Sequence, residues 1–158
     1  MNDEPIAYFI TWTTYGTWLP GDHRGWVKRS EWGMQPPDSP REQRSRRLMT
    51  AEAVLLSPEQ RQIVDTVIVN HCQIRNWQLH ARNVRTNHAH VVVTAAIDPK
   101  HVREQLKAWA SRRLSEHAGL RGAGNDDQRR WWTEKGDIEW IYDEDGLLRV
   151  IHYVLEEQ

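Results

Sequence analysis

The sequence predicts an α+β domain with the element order β-α-β-β-α-β, a split βαβ antiparallel sheet packed on helices, with one more helix appended. Three observations favour this fold. Helical start signals occur twice, each time between segments with the composition of strands. The two middle strands are separated by three residues, which fits a hairpin. The chain has 158 residues, enough for one hydrophobic core, so we expect a single domain over 1–158.

The first strand is followed by a segment of very different composition. Residues 8–14 (YFITWTT) are aromatic and β-branched, which is typical of a strand. From Gly16 to about Thr50 the chain is rich in Gly, Pro, Ser and Arg. We therefore expect a loop insertion at about 16–50, and long irregular segments inside a domain are usually functional or mobile.

Two helices are predicted from their start signals. Ser57, Pro58 and Gln60 have the spacing of an N-cap, a first-turn proline and a capping-box glutamine, which indicates a helix over about 58–76. Its Val and Ile residues are poor helix formers, so a strand is the alternative there. Asp98-Pro99 begins a second helix, which ends in a flexible linker at 119–125. The apolar stripe of that helix consists of Val102, Leu106, Trp109, Ala110 and Leu114.

The remaining segments complete a ferredoxin-like arrangement. Residues 78–84 and 88–96 have strand composition, and 85–87 is a short turn between them. Ile138, Trp140 and Tyr142 alternate with Asp137, Glu139 and Ile141, which indicates a fourth strand. A last helix is expected from Asp145 to the C-terminal end. This order needs no sequence repeat and no second core.

The near-neutral net charge of −1 hides an asymmetry along the chain. Residues 1–125 hold 17 basic and 12 acidic side chains, whereas 126–158 hold 4 and 10. The basic part provides either a phosphate-facing surface or ordinary solvated faces with ion pairs. Its two clusters are Arg41, Arg44, Arg46 and Arg47, and then Arg103, Lys107, Arg112 and Arg113.

Nine tryptophans stand against a single phenylalanine. Indole rings fill a core, and they also stack on unpaired nucleic-acid bases, so each tryptophan has both interpretations. The candidates for stacking are Trp18, Trp26, Trp32, Trp131 and Trp132.

The sequence also indicates a cellular compartment. A single cysteine, Cys72, excludes an internal disulfide and fits a reducing environment. No apolar run approaches the roughly 20 residues of a membrane span, and the acidic start does not look like a signal peptide. We expect a cytoplasmic protein.

The sharpest local motif is Asn87-His88-Ala89-His90, followed by three valines. Alternate side chains of a strand share a face, so His88 and His90 lie about 7 Å apart, close enough to bind one metal ion. A pair of histidines two residues apart also arises by chance as part of an ordinary strand. The motif therefore suggests a metal site without establishing one.

A tyrosine near the C-terminal end is the second candidate. On the predicted last helix, Leu147, Ile151 and Val154 form one stripe, and Arg149, Tyr153 and Glu157 form another. Tyr153 therefore either faces a cleft or flanks the core with its hydroxyl in water. Glu157 lies one turn further and adds a carboxylate.

These motifs together resemble a known family. The element order, the motif His88-Ala89-His90 on a central strand and a late tyrosine resemble the IS200/IS605-like Y1 transposases of the HUH endonuclease superfamily. The opening WTTYGTWLPGDHRGWV and the ending HYVLEEQ are similar to the REP-associated tyrosine transposases in particular. The resemblance extends over nearly the whole chain.

The resemblance implies a role for each matching residue. His88 and His90 match the metal-binding pair of the family, and Tyr153 matches its nucleophile. The family has a third ligand one helical turn after the tyrosine, which Glu157 matches in spacing. Gln158 matches the common residue type but lies one position further. Two imidazoles and an oxygen donor suit Mg²⁺ or Mn²⁺.

The resemblance also implies an activity and a substrate. The expected reaction is cleavage and rejoining of single-stranded DNA beside a hairpin (a REP-like palindrome), through a 5′-phosphotyrosine intermediate. The phosphate-binding candidates are Arg41, Arg44, Arg46, Arg47, Arg112 and Arg113. The protein would act as a monomer or a homodimer. The target hairpin and autonomous transposition are not determined by these residues.

Two other functions fit part of the same pattern. A domesticated hairpin-binding module would keep the fold and lose cleavage. A metalloenzyme with two histidines and one carboxylate, as in non-haem iron oxygenases, would use His88, His90 and Glu157, with a jelly-roll-like sheet. A zinc hydrolase of the H-x-H-x-D-H type is excluded because valines follow His90.

Overall fold

A computed structural model describes residues 4–16, 26–27, 34–47, 53–120 and 130–156. It contains six strands and four helices among these residues. The strands are β1 (Ala7–Thr13), β2 (Trp26–Val27), β3 (Met34–Gln35), β4 (Gln78–Val84), β5 (His88–Thr94) and β6 (Asp137–Ile141). The helices are α1 (Ser39–Arg47), α2 (Pro58–Arg75), α3 (Pro99–His117) and α4 (Glu144–Glu156).

The four long strands form one antiparallel sheet in the order β4-β5-β1-β6. The chain order β1, α2, β4, β5, α3, β6 is the predicted split βαβ arrangement, so the α+β fold class is confirmed. In the register of the sheet, His90 pairs with Thr11 on one side and with Asn83 on the other. Strand β5 therefore lies inside the sheet, with a neighbour along each of its edges.

Helices cover both faces of this sheet. Helices α2 and α3 pack on one face, where Ile10, Trp12 and Leu106 are fully buried. Helix α4 packs on the opposite face, where Val92 and Val154 are fully buried. Because side chains alternate along a strand, β5 contributes Ala89, Val91 and Val93 to the first core.

The predicted capping residues form the expected hydrogen bonds at the starts of α2 and α3. Ser57 Oγ accepts a hydrogen bond from the backbone N–H of Gln60, and Gln60 Oε1 accepts one from the backbone N–H of Ser57. Both halves of the capping box are present, so the helical alternative for 58–75 prevails over the strand. Asp98 caps α3 by accepting from the backbone N–H of Lys100.

The expected insertion at 16–50 is not irregular throughout. Strands β2 and β3 pair with each other, and α1 occupies nine residues. Asp38 accepts a hydrogen bond from the backbone N–H of Arg41 at 3.1 Å, which satisfies one of the donors at the helix start. The Arg, Gln and Glu residues that follow are good helix formers, a preference that the Pro and Ser content of the segment obscured.

The described residues hold no helix that is long and apolar enough to cross a membrane.

Candidate functional site

His88 and His90 share one face of the sheet, as their spacing predicts. Their ring centroids are 4.7 Å apart. His90 is buried, with 7% of its surface exposed, and His88 is half-buried. Ala89, between them, is fully buried in the core on the other face. The packing of Ala89 therefore fixes the strand face on which the two imidazoles lie.

The Nδ1 atom of each imidazole forms a hydrogen bond with a side-chain oxygen atom. His90 Nδ1 lies 2.8 Å from Thr11 Oγ1, and His88 Nδ1 lies 2.7 Å from Asn87 Oδ1. An amide oxygen only accepts, so His88 Nδ1–H is the donor of its bond, and Thr11 Oγ1 is able to accept in the same way. A neutral imidazole protonated on Nδ1 carries its lone pair on Nε2. Hydrogen bonds of this kind orient histidines that bind metal ions.

Tyr153 lies beside the histidine pair within the same chain. Its ring centroid is 6.0 Å from that of His90, with the rings at 71°. Phe9 contacts both, at 5.2 Å from His90 and 6.1 Å from Tyr153. Tyr153 is 42% exposed, so it lies at the border between the second core and solvent. Tyr153 therefore lies beside the histidine pair with part of its side chain in solvent, and its role as the nucleophile stays a prediction.

Local sequence explains why α4 presents this tyrosine to the sheet. Leu147 and Val154 are buried against the sheet, whereas Tyr153 is partly exposed. At the start of the helix, Asp143 Oδ1 accepts a hydrogen bond from the backbone N–H of Gly146. At the other end, Asn83 Nδ2 donates to the Val154 carbonyl at 2.9 Å. The last carbonyls of a helix lack partners within it, so Asn83 ties the end of α4 to β4.

The donor atoms at this site fit a divalent cation. Two imidazoles that each carry a lone pair on Nε2 are nitrogen ligands of the kind that Mn²⁺ accepts. Within the described ranges no group of three His, Cys, Asp or Glu residues forms a metal site. Glu157 and Gln158, the candidates for the third ligand, lie outside the described residues.

The first arginine cluster lies on α1. Arg46 pairs with Glu42 at 3.0 Å, and Arg41 Nε lies 3.6 Å from Asp38. Arg44 is exposed, and the side chain of Arg47 lies outside what the structure describes. Two of these guanidiniums therefore have local carboxylate partners, and binding of DNA by the cluster remains a prediction.

The second arginine cluster surrounds a tryptophan on α3. Arg112 and Arg113 lie over the Trp109 ring, at 5.2 and 5.8 Å from its centroid. Both also approach Glu116, at 3.8 and 2.9 Å. Contacts with DNA at Arg112 and Arg113 likewise remain a prediction. Trp109, assigned to the apolar stripe, is 37% exposed and differs in this from its buried neighbours.

Two tryptophans proposed for base stacking are core residues. Trp131 is 2% exposed and donates to Ser115 Oγ, and Trp132 is 7% exposed and donates to the Lys107 carbonyl. Stacking on Trp131 or Trp132 is therefore wrong, because the fold already buries both indoles and satisfies their N–H groups. Trp18 and Trp32, and the side chain of Trp26, lie outside the described part.

Sequence reasoning missed three residues that shape the site. Thr11 and Asn87 hold the imidazoles, and Asn83 holds α4. Asn87 precedes His88 directly, so its short polar side chain was a usable signal. Thr11 and Asn83 carry no such signal, since each meets its partner only through the pairing of strands and the docking of a helix.

Fold and site together define an α+β domain with a histidine pair and a tyrosine on one face of its antiparallel sheet. No protein-family model matches the chain, and no curated protein matches it. Solved structures share its fold. One is a REP-associated tyrosine transposase bound to a REP hairpin, with TM-score 0.53 and 12% identity, covering 98% of this chain and 67% of that one. Another is a candidate transposase from Deinococcus radiodurans r1, with TM-score 0.54 and 12% identity, covering 95% and 88%.

Proposed function

We propose that this chain is a metal-dependent single-stranded DNA endonuclease and strand transferase, a transposase of the tyrosine HUH type that acts on cytoplasmic DNA. The observation that carries the proposal is the position of the Tyr153 ring, 6.0 Å from the ring of His90. The fold shared with a hairpin-bound transposase supports hairpin DNA as the substrate. The open α+β sheet argues against the oxygenase alternative, which predicts a jelly-roll-like fold.

In the proposed reaction, Tyr153 supplies the nucleophile. Its oxygen attacks the phosphorus of the scissile phosphate, and the bond from phosphorus to the 3′ oxygen breaks as the bond to tyrosine forms. The phenolic proton leaves to solvent, and the released 3′ oxygen takes up a proton to become a hydroxyl. One phosphodiester linkage replaces another, so rejoining requires no external energy source.

The histidine pair serves the phosphate. His88 and His90 would hold the cation through Nε2. Asn87 accepts from Nδ1–H of His88 and so leaves Nε2 of that ring able to bind, and Thr11 orients His90 and is able to accept from its Nδ1–H in the same way. A divalent ion bound there neutralises charge that develops on phosphate oxygens. His90 is buried, whereas Tyr153 is partly exposed, so a DNA strand would approach the tyrosine from solvent.

The test is formation of a covalent adduct. The protein is incubated with Mn²⁺ and single-stranded oligonucleotides that carry hairpins, and a denaturation-resistant protein–DNA species is sought. Tyr153→Phe and the His88→Ala/His90→Ala double variant should abolish it. Tyr142→Phe is the matched control, because Tyr142 is also exposed but has no contact with the histidine pair among the described residues. An adduct that survives in Tyr153→Phe would refute the assignment of the nucleophile.

The same experiment distinguishes cleavage from a second candidate function, which is binding of the hairpin alone. The second candidate, a domesticated hairpin-binding module, would keep the fold shared with the hairpin-bound transposase without cleaving DNA. Retained binding of the hairpin oligonucleotide by the wild-type protein, with no adduct at any Mn²⁺ concentration, would select that function over cleavage.

A further inference from the structure

An open cleft lies between the first turns of α2 and strand β4, at the edge of the described sheet. Its volume is about 280 Å³. Two arginines line it, Arg61 from α2 and Arg82 from β4, together with Asp65 and Asn83. Neither arginine belongs to the clusters that the sequence singled out.

The two arginines differ in their partners. Arg82 forms a double hydrogen bond with the carboxylate of Asp65, at 2.8 Å from Nε and 3.3 Å from Nη2. Arg61 pairs with no carboxylate in the described part of the chain, and its Nε atom is buried without a hydrogen-bond partner. Buried hydrogen-bond donors normally have an acceptor, so we expect a bound molecule to supply one for the Arg61 guanidinium. Since Asp65 neutralises Arg82, the cleft keeps one uncompensated positive charge.

The position of the cleft relates it to the candidate site. Asn83 lines the cleft and pairs with His90 in the register of the sheet. Adjacent strands lie about 4.8 Å apart, so the rim of the cleft is one strand away from the histidine. The same Asn83 side chain reaches α4 at Val154, next to Tyr153. The histidines lie on the α4 face and the two arginines on the α2 side, so a DNA strand that crosses the site toward β4 and passes round this edge of the sheet would reach the cleft.

We propose that the Arg61 cleft binds a backbone phosphate of the single strand that flanks the scissile phosphate. A phosphodiester carries one negative charge, which matches the uncompensated charge of the cleft, and its oxygens accept from guanidinium N–H groups. The start of α2 adds the partial positive charge of a helix N-terminus. This inference rests on the proposed function, because it takes the substrate to be single-stranded DNA.

The first measurement is the salt dependence of binding. Affinity for a fluorescent hairpin oligonucleotide with single-stranded flanks is titrated in the Tyr153→Phe background, which prevents cleavage. Arg61→Gln should weaken binding about tenfold at low salt, and it should reduce the slope of log affinity against log salt by about 0.7, the value for one phosphate of a single strand. Arg75→Gln is the matched control, an exposed arginine at the other end of the same helix. Arg61→Lys should recover much of the lost affinity.

The second measurement identifies the phosphate. Neutral methylphosphonate linkages are introduced one at a time into the single-stranded flanks of the oligonucleotide. The affinity of each oligonucleotide is measured for the protein that keeps Arg61 and for the Arg61→Gln variant. If the cleft binds one phosphate, a methylphosphonate at that one position weakens binding by the protein that keeps Arg61. The same methylphosphonate has no further effect on binding by the Arg61→Gln variant. Equal losses in both proteins at every position would overturn the inference, as would an unchanged salt slope in Arg61→Gln.

Different experimental results would refute the role of the Arg61 cleft and the proposed function. If the wild-type protein forms the tyrosine adduct while Arg61→Gln behaves like Arg75→Gln, only the role of the cleft is refuted. If the wild-type protein binds no hairpin oligonucleotide at any salt concentration, the proposed function and the role of the cleft are both refuted. Thermal unfolding of Arg61→Gln, compared with the wild-type protein, shows whether a loss of binding reflects a loss of fold.

Discussion

The hydroxyl oxygen of Thr11 lies 2.8 Å from Nδ1 of His90, although the two residues are 79 positions apart in the chain. Strands β1 and β5 pair in a register that sets these residues opposite each other on the α4 side of the sheet. The bond fixes the plane of the imidazole, so we regard Thr11 as a positioning residue for the proposed metal ligand.

Thr11→Val is therefore expected to weaken Mn²⁺ binding about 10- to 100-fold, the usual cost of losing such a partner. Thr11→Ser keeps the hydroxyl and should bind nearly as well as the wild-type protein. Thr13→Val is the control, since Thr13 lies on the same face of β1 but forms no such bond to His90. Binding is measured by electron paramagnetic resonance of free Mn²⁺. Equal affinity of Thr11→Val and the wild-type protein would contradict this role.

Cleavage is expected to use the histidines and the tyrosine of one chain. The 6.0 Å separation of the His90 and Tyr153 rings lies within one subunit, so no exchange of α4 between subunits is required. A mixture of Tyr153→Phe with the His88→Ala/His90→Ala double variant should therefore form no adduct. Recovery of adduct in the mixture, measured on a denaturing gel, would instead show that α4 acts on a partner subunit.

Gly136 is expected to tolerate no side chain. Its φ is +144°, and a Cβ atom there would collide with the Thr11 carbonyl oxygen. Its own carbonyl accepts from the buried Arg103 at 3.1 Å, which prevents the segment from moving away. Gly136→Ala should lower the free energy of unfolding by about 3 kcal/mol or more.

The control for this substitution is Gly119→Ala. Gly119 has a φ of +77° and open space around it, so only backbone strain opposes a methyl group there. The expected loss is about 1 to 2 kcal/mol. Urea denaturation measures both variants, and equal losses would show that the contact with Thr11 is unimportant.

Acidification is expected to destabilise the fold through His80. Burial lowers the pKa of His80 below its ordinary value of 6.5, and this outweighs the opposite effect of Glu144. Between the lowered folded pKa and 6.5 the unfolded chain binds more protons, so stability decreases as pH falls through that window. His80 Nε2–H donates to Thr94 Oγ1, whose own proton goes to the Ile6 carbonyl.

His80→Gln keeps an N–H donor for Thr94 and removes the titration. Its free energy of unfolding should therefore depend less on pH than that of the wild-type protein, measured by urea denaturation above and below pH 6.5. The exposed His101 provides the control His101→Gln. An unchanged difference between the two pH values in His80→Gln would contradict the assignment.

Local signals predicted the elements that they directly encode. The capping box at Ser57 and Gln60 fixes the start of α2 through bonds three residues apart, and the alternation around Ala89 fixes which face carries the histidines. The helix at 39–47 was missed because its cap, Asp38, lies in a segment whose Pro and Ser content suggested a loop. Trp131 and Trp132 were open to two interpretations because an indole suits a core and a base equally well.

The sequence by itself determined the order of the elements, the pairing of His88 with His90 on one strand face and the place of Tyr153 on a late helix, because each depends on periodicity over a few residues. Only the tertiary structure decided that Thr11 holds His90, that Asn83 ties α4 beside the site and that Arg61 and Arg82 meet in one cleft. These contacts join residues that are distant in the chain, and they depend on strand register and helix docking, which the burial of two whole cores selects.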